Sequence, residues 1–255
     1  MKNIILGILA VSALASAVSL SAQTPASAPA AVSAPAPVSA PTADEIVSKH
    51  VAAIGGKDAI SQVKSVYMEG SLTMMGSENP STVTIVNGVG FKNETDFNGT
   101  KIVQCYTDKG GWFINPMAGA ATATPLPDDA YNAGKAQINI GGALYDYAAK
   151  GGKVELLGKE GNAYKIKLTT KDSVESVFLI DSTSYLLTTE MSKAKMQGQD
   201  VDVTINFSDY RKTDLGYMIA YAMNESFGGQ FELTIAWKKV ELNKTIDPAV
   251  FAMPK

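Results

Sequence analysis

Val201-Asp202-Val203-Thr204-Ile205-Asn206-Phe207-Ser208 decides the fold class. Four apolar side chains alternate with four polar ones without interruption. A period of two puts Val201, Val203, Ile205 and Phe207 on one face of a strand and the polar set on the other. The same residues in a helix would be scattered around its circumference. Working outward, the period persists. Upstream lie Leu186–Met191, Val174–Ile180, Ala163–Leu168 and Val154–Leu157. Downstream lie Tyr217–Met223, Phe231–Trp237 and Val240–Leu242. Nearer the start, Val66, Met68, Gly70, Leu72 and Met74 alternate with Tyr67, Glu69, Ser71 and Thr73. After a turn at residues 76–80, Val83 and Ile85 mark one face of Ser81–Val86, and Phe91–Phe97, Ile102–Tyr106 and Gly111–Ile114 follow. Asn98-Gly99 and Lys109-Gly110-Gly111 have the chemistry of tight hairpins. The count is about ten or eleven strands joined by short turns, which implies antiparallel neighbours, and one sheet of that size must curl or close.

Two stretches read as helical. Ile46, Val47, Val51 and Ile54 recur at helical spacing behind a cap at Thr42 or Asp44, and Gly55-Gly56 stops them. A second short helix spans about residues 57–63. In Pro125–Lys150, Pro127-Asp128-Asp129 is a helix start, and Ala130, Tyr131, Ala133 and Gly134, then Ala143, Leu144, Tyr147 and Ala148, suggest one or two helices, interrupted at Gly141-Gly142. These segments can cover the open side of the sheet.

Residues 1–22 read as a secretory signal, with Lys2 ahead of a Ser-interrupted apolar stretch from Ile4 to Leu20. Cleavage falls after Ala17 or after Ala22. The stretch is too short for the about 20 apolar residues that cross a bilayer, and no second one follows, so the mature chain is expected to be soluble. Residues 23–42 carry five prolines and no charge. They form a spacer, which at about 3.1 Å per residue reaches roughly 60 Å when extended. The rest, 43–255, reads as one domain.

Of 255 residues, 45% are hydrophobic and 18% charged, a globular composition. The formal net charge of −3 gives no basic excess for nucleic acid, and Arg211 is the single arginine. One cysteine (Cys105) and one histidine (His50) exclude an internal disulfide and a Cys/His zinc cluster. His50 shares the apolar side of its helix, where a structural role is expected. Cys105 lies in a strand pattern and behaves as a small apolar residue. There is no Gly-x-Ser-x-Gly elbow and no phosphate loop, and acid pairs such as Asp128/Asp129 suit helix starts. The reading carries no catalytic residue, no metal site and no cofactor.

Several stretches together resemble the periplasmic lipoprotein-sorting family of LolA/LolB-like half-barrel carriers. They are Ala43-Asp44-Glu45-Ile46-Val47 through Ile54-Gly55-Gly56-Lys57-Asp58-Ala59; Gly152-Lys153-Val154-Glu155-Leu156-Leu157-Gly158; Phe178-Leu179-Ile180-Asp181 with Tyr185-Leu186-Leu187; Phe207-Ser208-Asp209-Tyr210-Arg211; and Val240-Glu241-Leu242-Asn243 with Ile246-Asp247-Pro248-Ala249-Val250-Phe251. The resemblance implies a strongly curved, incomplete antiparallel β-barrel with helices covering an apolar cavity. It implies periplasmic binding of lipid or of the acylated end of lipoproteins, between donor and acceptor proteins at the inner and outer membranes. Gly216-Tyr217-Met218-Ile219-Ala220-Tyr221 lacks the proline that relatives often carry there, and no residue aligns with the carriers' functional arginine. Arg211 is expected to pair with Asp209 or Asp214.

The strand faces then supply the expected lipid pocket: Met68, Leu72, Met74 and Ile85; Ile166 and Leu168; Val203, Ile205 and Phe207; Met218, Phe231, Leu233 and Ile235. Flexible Met side chains suit a plastic wall. Ile46, Val47, Val51 and Ile54 are the expected displaceable helical lid. Two 16-carbon chains at about 0.8 kcal/mol per CH₂ represent roughly 25 kcal/mol of burial, beyond the practical affinity limit of about 18–21 kcal/mol. A shuttle pocket must therefore be costly to open or only part-filled. The competing reading is a non-catalytic β-rich envelope adaptor that binds a protein partner through its outer surface.

Overall fold

A computed structural model describes residues 40–196 and 199–255; the signal and most of the spacer lie outside the described residues. Thirteen antiparallel strands form one sheet: β1 (Ser65–Met74), β2 (Ser77–Val86), β3 (Gly90–Phe97), β4 (Thr100–Thr107), β5 (Gly110–Asn115), β6 (Ala120–Pro125), β7 (Lys153–Glu160), β8 (Ala163–Thr169), β9 (Glu175–Asp181), β10 (Leu187–Met196), β11 (Gln199–Lys212), β12 (Met218–Phe227) and β13 (Phe231–Leu242). Their order is β6-β5-β4-β3-β2-β1-β13-β12-β11-β10-β9-β8-β7. Two meanders are thus joined where the first strand pairs with the last. β6 and β7 remain unpaired edges, so the curved sheet is an incomplete barrel, as expected from its size.

The strand count exceeds the expected ten or eleven, although Phe231–Trp237 and Val240–Leu242, read from the sequence as separate strands, run on as the single strand β13. β6 was not anticipated, because Ala120–Pro125 carries only Ala, Thr and Pro and shows no apolar alternation. β2 begins at Ser77, inside the expected turn, because the turn itself is only Met75-Gly76 with both residues at positive φ. β11 and β12 also run longer than their apolar patterns.

Helix α1 (Ala43–Ala53) starts on a capping box. The Thr42 hydroxyl accepts from the Glu45 amide, and the Glu45 carboxylate accepts from the Thr42 amide. Ile46 is 0% exposed, and Val47, Val51 and Ile54 are buried with it. They pack on Tyr164, Ile166 and Leu168 of β8 and on Phe178 and Ile180 of β9. α1 therefore fills the concave side of one end of the sheet. Helix α2 (Gly56–Gln62) follows through Gly55, whose φ of 117° and close approach to the Gly216 carbonyl leave no space for a Cβ.

The middle segment forms helix α3 (Asp128–Gly134) and a 3-10 turn at Lys135–Ile138. The expected helix through Ala143–Ala148 is absent. Those residues are turns, with Gly141 and Gly142 both left-handed. This segment crosses the open side. Tyr131 stacks on Tyr106 of β4 at 6.5 Å, the Gly88 amide donates to the Ile138 carbonyl, and Lys135 pairs with Asp172 in the β8–β9 turn.

The C-terminal turn Pro248–Phe251 packs on the opposite, convex face. Phe251 is buried against Val103, Cys105 and Trp112, and the Trp112 Nε1–H donates to the Phe251 carbonyl at 2.8 Å.

Candidate functional site

In an antiparallel sheet, directly opposed residues share a face. The register therefore maps the concave surface row by row. One continuous row runs Leu156–Ile166–Phe178–Glu190–Ile205–Glu225–Leu233–Met74–Ser77. A second runs Phe207–Met223–Ile235–Leu72–Asn79. A third joins Val203, Phe227 and Phe231, the last two ring-stacked at 4.6 Å.

α1 divides these rows. Under β8 and β9 it seals Ile166, Leu168 and Phe178 at 0–3% exposure. Ile205, Phe207, Met223, Leu233 and Ile235 are only half-buried. A trough lined by apolar side chains thus runs along β11, β12, β13 and β1 beside the packed end. Leu72 and Val203 form its buried floor, and Trp237 continues it towards the packed end at 5% exposure.

The far wall of the concavity is polar and internally satisfied. Asn79 donates to the Leu72 and Ser77 carbonyls, Ser81 Oγ lies 3.0 Å from Thr95 Oγ1, and Thr95 reaches Asn93. On β4, Gln104 donates to the Tyr106 hydroxyl at 2.6 Å.

The structure brings together Leu72, Met74, Val203, Ile205, Phe207, Phe231, Leu233 and Ile235 along the trough. Met68, Ile85 and Met218 sit instead at the margin of the core built on α1, where the Met218 amide donates to the Ile54 carbonyl at 3.0 Å. Ile166 and Leu168 belong to that core outright.

Glu190 and Glu225 were not singled out from the sequence, yet both sit in the first row, flanking Ile205. Burial raises both carboxyls. Glu190 goes up to about 7, through burial first and then the charge of Glu225. Glu225 also reaches across the concavity electrostatically, adding to the burial that pushes Tyr106 up to about 12. Glu190 is half-buried: neighbouring atoms crowd its carboxyl and disfavour the anion, while part of the residue stays open to solvent. One signal for Glu225 was present: the aromatic-flanked Phe227-Gly228-Gly229-Gln230-Phe231 marks a hairpin and extends β12 past Met223.

The remaining chemistry-bearing residues are structural. His50 Nδ1 lies 2.9 Å from the Tyr185 carbonyl, and burial lowers its pKa. Burial pushes the Cys105 thiol up to about 12. Arg211 pairs with Asp209 at 2.6 Å and lies over the Tyr221 ring. Among the described residues, no group of three or more acids, histidines or cysteines is placed to hold a metal ion, and no helix is long and apolar enough to cross a membrane.

No known family's sequence model matches the chain, and no curated protein matches it. Solved structures do. A LolA superfamily protein from Nitrosomonas europaea superposes with a TM-score of 0.56 at 12% identity, over 84% of this chain and 98% of its own. A domain assigned to outer membrane lipoprotein sorting in Vibrio parahaemolyticus gives 0.54 at 14% identity, over 82% and 95%. The chain has the curved, unclosed sheet fold of the LolA superfamily.

Proposed function

We propose that this protein is a periplasmic carrier for lipid or for the acylated end of lipoproteins, and that hydrocarbon chains lie in the trough along β11–β13 and β1. One observation carries the reading. On the concave side of a domain of this size, a contiguous apolar strip is left half-open beside a fully packed core. Contiguous apolar surface of that kind marks a binding site. The likeness to LolA superfamily structures supports the same reading through the fold.

The two ends of the concavity then differ in role. Swinging α1 away would expose Ile46, Val47, Val51 and Ile54, at about 1.5–3 kcal/mol each, or about 6–12 kcal/mol in all. At about 0.8 kcal/mol per CH₂, a ligand recovers that only with roughly 8–15 newly buried methylenes. Chains therefore enter the trough first, and α1 acts as a lid only for a long or second chain. A disulfide pinning α1 to β8 should leave short-chain binding intact and reduce long-chain uptake. Equal uptake of long chains by the pinned and free proteins would remove the lid.

Native mass spectrometry of the full chain, purified from its own envelope without detergent, tests the reading. A carrier brings lipid with it, in a mass increment that disappears on delipidation. Protein that emerges bare and also fails to bind any amphiphile when reloaded is the adaptor, not the carrier.

A further inference from the structure

We infer that the trough selects amphiphiles carrying a protonated amine next to their acyl chains, and that Glu190 and Glu225 receive that amine. The inference rests on the carrier reading and deepens it.

The geometry comes from the register. Glu190 faces Ile205 across one strand spacing, and Ile205 faces Glu225 across the next. At about 4.8 Å per spacing, the two acidic residues stand about 10 Å apart at the backbone, on one face and in one row. Their side chains can converge over Ile205. In the three trough rows between β10 and β2 they are the only charged residues; every other position is apolar, Asn or Ser. No lysine or arginine lies within ion-pair distance of either among the described residues, although eleven ion pairs form elsewhere, all through other acids.

Unpaired acids in an apolar trough are costly, and ordinary packing offers no reason to keep two in one row. A cation supplied by the ligand removes the cost. The position suits this. Glu190 stands at the border, one strand from the sealed Phe178, so an amine held there leaves its chains lying over Leu233, Ile235 and Met74. A second unsatisfied polar group lies on the same surface. The Trp237 Nε1–H is buried with no acceptor, and Trp237 opposes Gly70 in the row beyond Ile235 and Leu72. An ester or amide carbonyl on the ligand would supply that acceptor. An anionic headgroup, in contrast, would be repelled by both carboxylates.

Displacement of the neutral probe diphenylhexatriene from the delipidated full-length protein at pH 7.5 tests the inference. Hexadecylamine, hexadecanol and hexadecanoic acid share one chain and differ in the charge of the head. The amine should bind about tenfold or more tightly than the alcohol, and the acid more weakly than the alcohol; tenfold corresponds to about 1.4 kcal/mol. In Glu190→Gln/Glu225→Gln the advantage of the amine over the alcohol should vanish while the alcohol still displaces the probe, at least as well as from the parent, which also reports that the trough is intact. Two further arms separate the sources of the amine. One is a diacyl lipid with an ethanolamine headgroup; the other is a dipalmitoylated cysteinyl peptide compared with its N-acetylated form. Preference for the free-amine peptide assigns the acids to a lipoprotein end, and preference for the ethanolamine lipid assigns them to a headgroup. Equal binding of acid and amine, or an amine preference that survives the double substitution, overturns the inference and leaves the carrier reading standing. Failure of all three amphiphiles to displace the probe overturns both.

Discussion

Glu190→Gln offers the sharpest measurement of what the concave acids cost in the ligand-free protein. Glutamine keeps the size and hydrogen-bonding capacity of a protonated glutamate and loses only its charge. In the folded chain the Glu190 carboxyl titrates at about 7 rather than at the usual 4.5, because burial and then Glu225 disfavour its anion. The sign follows from linkage. Between these two values the unfolded chain has released its proton and the folded chain still holds it. Folding is therefore favoured below pH 4.5 relative to above 7, and stability falls as pH rises through that window. A shift of about 2.5 units at 1.36 kcal/mol per unit sets the loss at about 3 kcal/mol. The glutamine variant should match the parent at pH 4.5 and exceed it by up to about 3 kcal/mol at pH 8. For a domain of this size that is roughly 6–12 °C in Tm. Urea melts at several pH values, with the slope held common, give the difference directly. A constant offset at all pH values, or no gain at pH 8, would falsify the placement of Glu190 in a desolvating apolar setting.

Four other perturbations probe the frame around the trough. A Cβ on Gly90 would lie 2.5 Å from the Phe251 ring, so Gly90→Ala should cost about 1–3 kcal/mol and Phe251→Ala about 3–5 kcal/mol; in the Phe251→Ala background the added methyl should be nearly neutral, and additive costs in a double-mutant cycle would refute the contact. Gly70→Ala would place a Cβ 2.1 Å from the Ala236 carbonyl, at the bulge that joins the two meanders; circular dichroism should show the variant largely unfolded, and a native-like melt would argue against that junction. Cys105 is buried and its thiol is pushed up to about 12, so Ellman's reagent should find no thiol in the native protein and one in guanidinium. His50 titrates below its ordinary 6.5 because it is buried; stability should therefore decline as pH falls from about 6.5 through its lowered value, and His50→Gln should flatten that limb.

The strands were legible where one face met the core and the other met water. Val201–Phe207 alternates cleanly because Val203 floors the trough while Asp202 and Asn206 are exposed. Legibility failed where that contrast disappears. β12 is half-buried along its whole length on both faces, and the extent of β6 is set by hairpin pairing with β5 rather than by apolar burial. The trough residues followed from parity within each strand. Which of them α1 would seal did not, since Ile166 and Ile205 have the same local pattern and differ only in lying beneath the helix or beyond it. The acids escaped notice for a related reason. A charged residue at an inward position reads as an outward one until the partner strand fixes the parity: Glu190 stands between Thr188 and Ser192, which give no apolar frame, and although Glu225 stands between Met223 and Phe227, the apolar pattern was read only as far as Met223.

A hollow that holds hydrocarbon by area alone binds too tightly to release it and cannot tell one lipid from another. The concave surface departs from uniform apolarity in two places: the hydrogen-bonded Asn79, Ser81 and Thr95 wall, and the unpaired Glu190 and Glu225. On the carrier reading both lower the affinity for plain hydrocarbon. The polar wall does so for every chain equally, because its groups are already satisfied by one another. The acids do so conditionally, since a ligand amine can neutralise them. The polar wall would therefore limit how tightly any chain is held, and the acid pair would determine which chains are held, and the two effects are separable. Replacing Asn79 or Thr95 by an apolar residue of similar size should tighten hexadecanol and hexadecylamine alike, by about the same factor, in the displacement assay. Replacing the acids should act on their ratio. A substitution in the wall that altered the ratio instead would show that head and chain are not recognised at separate places, and the division of the concavity argued from its register would have to be abandoned.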